Sequence, residues 1–211
     1  MTSTYSLRSA SPAKTRADAV VVGVLSGSDG PALAAGAEDV AEAYGRRLRP
    51  LLSTLGVTGS AGEVVRIPAG DAVNTSLLVL VGLGPEVTPK AVRRAAGAAA
   101  RGAPNASSVA VALPADTPEL VDAVTQGHLL GGYRFTRHKS SPAPDDRPGD
   151  VVVLSPAART VDVKAAFERA QVVADAVART RDWVNEPPGD FTPALFADAV
   201  AEAHRAATKG R

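Results

Sequence analysis

The sequence predicts an α/β fold: a three-layer α/β/α sandwich around a mixed, mostly parallel sheet, followed by C-terminal helices. Three observations carry this expectation. Apolar strand-like runs alternate with helix-period segments along most of the chain, the order from which helix-covered parallel sheets are built. The strand-like runs are continuous in valine, leucine and alanine, as strands covered on both faces are. Thr88-Pro89, Thr117-Pro118 and Thr192-Pro193 each place a hydroxyl cap before a proline at the first helical position, where the absent N–H has no intrahelical partner to lose.

In order along the chain, residues 1–18 show no long apolar run and read as a flexible terminus. The first strand covers 19–25 and is cut by Ser26-Gly27-Ser28-Asp29-Gly30-Pro31. From about Ala37, the residues Val40, Tyr44, Leu48, Leu51, Leu52 and Leu55 recur near one helical face. Pro50 lacks an N–H and crowds the carbonyl four residues back, so a kink or break is expected between Arg46 and Leu51. Residues 63–67 and 76–81 read as strands, and 68–75 can close an antiparallel hairpin between them. A helix over 89–101 buries Val92, Ala95, Ala96 and Ala99, and a strand follows over 108–113. The next helix runs from 118 to about 135, with Gly127 and Gly131 forming a flat patch that another backbone can approach.

Residues 139–150 combine Pro142, Pro144 and Pro148 with Ser and Asp and read as a mobile loop. After a strand over 151–154, a long helix spans 161–183, with Val163, Phe167, Ala170, Ala174, Val177 and Val184 along its stripe. Asn185-Glu186-Pro187-Pro188-Gly189 stops it. The last helix, from Pro193, carries Leu195, Phe196, Ala199, Val200 and Ala203 on one face.

Composition narrows the function classes. Hydrophobic residues make up 45% of the 211, enough for a core without covalent staples, but aromatics only 4%. Small side chains must fill the interior, so elements must approach closely. Net charge is +1, from 23 basic and 22 acidic residues, which argues against nucleic acid or an anionic membrane surface as the partner. Cysteine is absent, which removes disulfides and thiolate metal sites. No apolar run approaches the ~20 residues of a membrane span, and the first residues form no apolar signal segment.

Few residues offer chemistry. Gly82-Leu83-Gly84 sits between a strand and a helix, as a phosphate-binding turn would, but Val87 occupies the third small position. The next strand, ending at Leu113, offers no acidic ribose ligand before Asp116. His128, His138 and His204 form no metal-ligand spacing; His128 reads as a packed or solvated helix residue. Asp145, Asp146 and Asp150 cluster in a loop that reads as solvated. Ser26-Gly27-Ser28 lacks the nucleophile elbow. Arg134, Arg137, His138 and Lys139 read as the basic end of a helix, favoured by its dipole. From the residues alone, no catalytic, cofactor-binding or metal-binding set is present.

Three segments together resemble one family. They are Leu80-Val81-Gly82-Leu83-Gly84 with Thr88 and Arg93-Arg94-Ala95-Ala96-Gly97; Gly127-His128-Leu129-Leu130-Gly131-Gly132-Tyr133-Arg134-Phe135 running into His138-Lys139-Ser140; and 178–190 with Thr192-Pro193. Their order and spacing are similar to the N-terminal region of the leucyl aminopeptidase (cytosol aminopeptidase) family, with Trp183 in place of an aliphatic residue. The resemblance implies a macro-domain-like N-terminal domain over 19–158, an interdomain helix over 159–186 and, from 187 to 211, the start of a catalytic domain that this chain does not contain. It implies a cytoplasmic, hexameric parent that removes N-terminal amino acids from peptides. The parent's two divalent metal ions, Zn or Mn, would be held by lysine, aspartate and glutamate side chains beyond this chain. The 211 residues alone are then expected to be inactive. The alternative is a stand-alone macro-like domain that binds a nucleotide or ADP-ribose.

Overall fold

In the computed structural model, which describes residues 3–102, 106–140 and 148–208, the valine run of β2 (Ala17–Leu25) is the spine. Ala19, Val20, Val21, Val22 and Val24 are wholly removed from solvent, because β2 is paired on both sides and covered on both faces. Its parallel neighbours are β5 (Thr75–Gly84) and β6 (Ser108–Ala112). Outside β6 lie β7 (Asp150–Leu154) and then β1 (Thr4–Arg8), both parallel. Outside β5 lies the antiparallel β4 (Val64–Pro68). The sheet order is therefore β1-β7-β6-β2-β5-β4, with the short β3 (Ala32–Leu33) antiparallel against the end of β2.

Helices α3 (Pro89–Ala100), α4 (Pro118–Gly131) and α5 (Val161–Asn185) cover one face. Helices α1 (Glu38–Tyr44) and α2 (Leu48–Thr54) cover the other. The period of two decides which side chain serves which layer. Val79, Val81 and Leu83 of β5 face the first group, while Leu78 and Leu80 face the second. Each such valine or leucine, fully buried, contributes about 1.5–3 kcal/mol. The expected three-layer α/β/α sandwich, with its mixed and mostly parallel sheet, is thus the observed one. The expected β4–β5 hairpin is also present.

The proline caps behave as their chemistry requires. Thr88 Oγ1 accepts from the Ala91 N–H at 3.1 Å, and Thr117 Oγ1 accepts from the Leu120 N–H at 3.3 Å. Thr192 Oγ1 lies 3.5 Å from the Leu195 N–H at the start of α6 (Pro193–Thr208).

Several boundaries differ from the sequence reading. The terminus read as flexible over 1–18 contains β1. In Thr4-Tyr5-Ser6-Leu7-Arg8, Tyr5 and Leu7 alternate with polar residues and pack on the core. A five-residue edge strand with one buried face shows too little of that alternation to stand out. The expected break near Pro50 comes earlier, at Gly45, whose φ of 53° ends α1. A 3-10 turn over Gly45–Arg47 then leads into α2. Pro50 is the third residue of α2, where its missing N–H would be unpartnered anyway. Helix α4 stops at Gly131 rather than near Phe135, because two successive glycines are poor helix formers. Of the loop expected to be mobile over 139–150, residues 141–147 lie outside the described residues.

The flat patch on α4 has a definite occupant. A Cβ on Gly127 would come within 2.3 Å of the Arg93 carbonyl oxygen, and one on Gly131 within 2.4 Å of the Gly97 carbonyl oxygen. Helices α3 and α4 therefore touch backbone to backbone, as a core poor in aromatics requires. Gly132, one residue on, would place a Cβ no closer than 3.6 Å to anything nearby. The expected outcome is that Gly131→Ala lowers stability by about 1–3 kcal/mol, through overpacking against a backbone that cannot yield. Gly132→Ala should be close to neutral. Urea denaturation of the two variants in parallel measures the difference.

Candidate functional site

Two places in this fold could carry function: the crevice at the carboxyl ends of the parallel strands, and the polar cluster where α4 and α5 end. In open α/β sheets, ligands settle outside the strand carboxyl ends, where the strand order reverses. Here that place is a cavity of about 640 Å³, lined by Ser9 to Pro12 after β1, Gly36 and Asp39 after β3, Asp116 after β6 and Ser155 after β7. Several of its polar groups are paired within the chain, although Asp39 Oδ1 is buried without a hydrogen-bond partner among the described residues. Ser11 Oγ donates to the Asp39 carboxylate. The Gly36 N–H donates to the Glu38 carboxylate at 3.0 Å, and Ser155 Oγ donates to the Ala115 carbonyl at 2.5 Å. Among the described residues, no lysine or arginine lines the cavity, whereas Glu38, Asp39 and Asp116 do. An anionic pyrophosphate would meet carboxylates there.

The glycine turn after β5 is no more receptive. A Cβ on Gly82 would lie 1.9 Å from the Ser60 carbonyl oxygen, so Gly82 is small in order to admit the 59–61 loop of this same chain. Gly62 N–H donates to Gly82 O at 2.9 Å, Gly82 N–H to Glu63 O at 2.8 Å, and Gly84 N–H to Gly59 O at 2.8 Å. The backbone donors that would cradle a phosphate are already used. Steric fit at the glycine turn and the carboxylates of the crevice both fail to support the nucleotide or ADP-ribose alternative. Calorimetric titration with ADP-ribose is expected to give no saturable heat, and a stoichiometric isotherm would contradict that expectation.

The second place is built from residues at the exit of α4 and the end of α5. Tyr133 Oη donates to Asp182 Oδ1 at 2.8 Å and accepts from Asn185 Nδ2 at 3.3 Å. Arg181 Nη1 donates to the Leu130 carbonyl at 3.2 Å, and its guanidinium lies 5.4 Å from the centre of the Tyr133 ring. Arg137 Nη1 meets Glu186 Oε1 at 2.5 Å, and His138 Nε2 meets Glu186 Oε2 at 2.8 Å. The Glu186 side chain is only 7% exposed. The His138 imidazole and, after it, the Arg137 guanidinium hold its carboxyl below the ordinary carboxylate range, against the opposing push of partial burial. Burial, and then the hydrogen bond to Asp182, raise the Tyr133 phenol above its usual range, so it remains a donor.

Of the residues singled out in the sequence, His128 is buried on α4, with Nδ1 2.7 Å from the Tyr5 hydroxyl of β1. It packs the edge strand. His138 and Arg137 belong to the junction cluster, not to a helix end, because α4 has stopped at Gly131. His204 is exposed on α6. Asp116 lies at the crevice, far along the chain from Asp150, the first residue of β7, while Asp145 and Asp146 lie outside the described residues. Among the described residues, no three His, Asp or Glu side chains come together to hold a metal, so no step of metal chemistry is derived from them. Also among the described residues, no helix is long and apolar enough to cross a membrane. Nothing in the sequence marks Asp182, Asn185 and Glu186 as partners of the segment that holds Tyr133 and Arg137. The forty-nine or more residues that separate Tyr133 from Asp182 leave no local signal.

Burial pushes the His128 imidazole down to about 4. A histidine in an unfolded chain titrates near 6.5, so between these values the unfolded state binds the extra proton. Stability is then complete above about pH 6.5 and declines by about 3 kcal/mol as pH falls towards 4. His128→Gln, which keeps an acceptor for Tyr5, is expected to flatten this decline. Urea melts at about pH 7 and about pH 4.5 for both proteins measure it; equal losses in the two would show that His128 is not the source.

Residues 21–142 match the model of the cytosol aminopeptidase family, N-terminal domain. A probable cytosol aminopeptidase of Streptomyces coelicolor is 41% identical over 209 residues, covering 89% of this chain and 40% of the relative. One from Micrococcus luteus is 43% identical over 196 residues, covering 88% and 38%. Among solved structures, the bottromycin maturation enzyme BotP in complex with Mn is similar, with a TM-score of 0.66, 28% identity, and coverage of 90% of this chain and 37% of that one. A tomato leucine aminopeptidase mutant gives a TM-score of 0.75 at 20% identity, covering 93% and 41%, a likeness of fold. The chain spans about two fifths of the length of the curated relatives it matches.

Proposed function

Because the chain belongs to the cytosol aminopeptidase family, of which it carries the N-terminal domain, we propose that its role is to support and place a peptidase centre rather than to contain one. The observation that carries this reading is the family match over 21–142, taken with relatives more than twice as long as the matched stretch. In this reading, residues 19–158 are the N-terminal α/β domain, 159–186 the interdomain helix and 187–211 the opening of the catalytic domain. The whole protein removes N-terminal amino acids from peptides in the cytoplasm, as a hexamer. It does so with two divalent metal ions, zinc or manganese, held outside this chain. Paired metals of that kind polarise the scissile carbonyl and generate the attacking hydroxide.

The C-terminal helix fits such a continuation. Leu195, Phe196 and Val200 of α6 are 48%, 46% and 42% exposed, and no residue of α6 is buried. A helix with so open an apolar face gains most of its stability from a surface packed against it.

The expected outcome of an activity test has two parts. The pure 211-residue chain should not hydrolyse leucine p-nitroanilide with added manganese or zinc. The same chain substituted for the matching region of the Streptomyces coelicolor relative should support metal-dependent turnover. Metal-dependent turnover by the chain alone, or an inactive but folded chimera, would contradict the reading.

A further inference from the structure

The apolar attachment of α5 ends partway along its length. Val163, Ala166, Phe167, Ala170 and Ala174 are its buried residues. Val177 and Ala178 are half-buried, and Val184 is 78% exposed. Beyond Ala178, among the described residues, α5 makes polar contacts with one short segment, 130–138. Arg181 reaches the Leu130 carbonyl, Asp182 and Asn185 meet the Tyr133 hydroxyl, and Glu186 meets Arg137 and His138. Immediately after this, Trp183 stacks edge-on against Phe196 of α6 at 5.5 Å, and Phe196 does the same with Phe191 at 6.0 Å.

We propose that the 130–138 segment is a latch that fixes the direction in which α5 leaves the sandwich, with Tyr133 as its positioning residue. Hydrophobic packing is tolerant of direction, but a hydroxyl shared between a carboxylate and an amide is not. Tyr133 is the member that touches two residues of the last turn of α5, and its ring also supports Arg181. The salt bridges to Glu186 add a second anchor one residue past the helix, where the chain turns towards α6. Through Trp183 and Phe196, the direction of α5 is passed to α6. In its last consequence, the placing of a catalytic domain that begins at α6, this inference rests on the proposed function. In its first, the latch itself, it does not.

The two consequences are tested separately. Tyr133→Phe removes only the hydroxyl. In the 211-residue chain it is expected to speed hydrogen exchange of amides over 176–190 by about 10-fold, as loss of a charge-assisted hydrogen bond would. Exchange in β2 and β5 should stay unchanged. Trp183 is the one tryptophan in the sequence, so its fluorescence anisotropy should fall in the same variant. Asp182→Asn keeps an acceptor for the Tyr133 hydroxyl and should preserve slow exchange, whereas Asp182→Ala should not. Unaltered exchange in Tyr133→Phe, or acceleration shared equally by the central strands, would overturn the latch. In the Streptomyces coelicolor chimera, Tyr133→Phe is expected to lower kcat several-fold with KM nearly constant. An unchanged kcat in an active chimera would overturn the transmission to α6. An unsubstituted chimera without activity would instead count against the function, while exchange in the isolated chain still judges the latch.

Discussion

The backbone contact between α3 and α4 sets the position of much that follows. Gly97, Gly127 and Gly131 let the backbones of the two helices approach directly, with only the Ala96 methyl group beside Gly127. A methyl group at either α4 glycine would push α4 away from α3 and from the sheet. Because α5 packs on α4, the height of α4 also decides where α5 lies. Because the junction segment leaves α4 at Gly132, it decides where Tyr133 can reach α5 as well. The same contact explains how a chain so poor in aromatics encloses a core. Alanines and valines suffice when the elements are close enough that no large side chain is needed to bridge them.

Glycine serves a related purpose at the other end of the sheet. Gly82 has the sequence context of a phosphate turn, yet its missing side chain makes room for Ser60. A Cβ on Gly59 would likewise come within 2.7 Å of the backbone of Leu25 and Ser26. The loop over 59–61 therefore closes the ends of β2 and β5, and the remaining crevice opens towards β6, β7 and β1, among carboxylates. A glycine motif reports only that something approaches closely. Whether the visitor is a ligand or the chain's own backbone depends on contacts between distant residues.

That limit explains which parts of the fold were legible in the sequence. The valine runs of β2 and β5, the hairpin to β4 and the Thr-Pro helix starts each depend on residues within a few positions of one another, and they emerge where expected. β1 did not, because one turn of alternation in a five-residue edge strand is indistinguishable from chance until β7 lies beside it. Pro50 is the conspicuous breaker in this stretch of sequence, yet the break falls at Gly45. The backbone yields where a left-handed conformation costs least. His128 illustrates the intermediate case: its helix position was readable, but the Tyr5 hydroxyl beside it comes from the opposite end of the domain.

The cluster at the ends of α4 and α5 is the clearest case of a contact hidden from local pattern. Arg137 and His138 read as a helix terminus because basic residues near a helix end need no further explanation. The block from Asn185 to Gly189 reads as a stop signal because it holds two prolines and a glycine. Each reading is locally sufficient, and nothing within either segment calls for the other. Their pairing arises only once α4 ends at Gly131 and α5 continues beyond the last buried alanine. Along α5 itself the change is visible in composition. Alanine, valine and phenylalanine give way to Arg179, Arg181, Asp182, Asn185 and Glu186 over its last two turns. A helix that exchanges an apolar stripe for polar partners in this way trades adhesive strength for directional precision, because each polar contact loses much of its value when its geometry is disturbed.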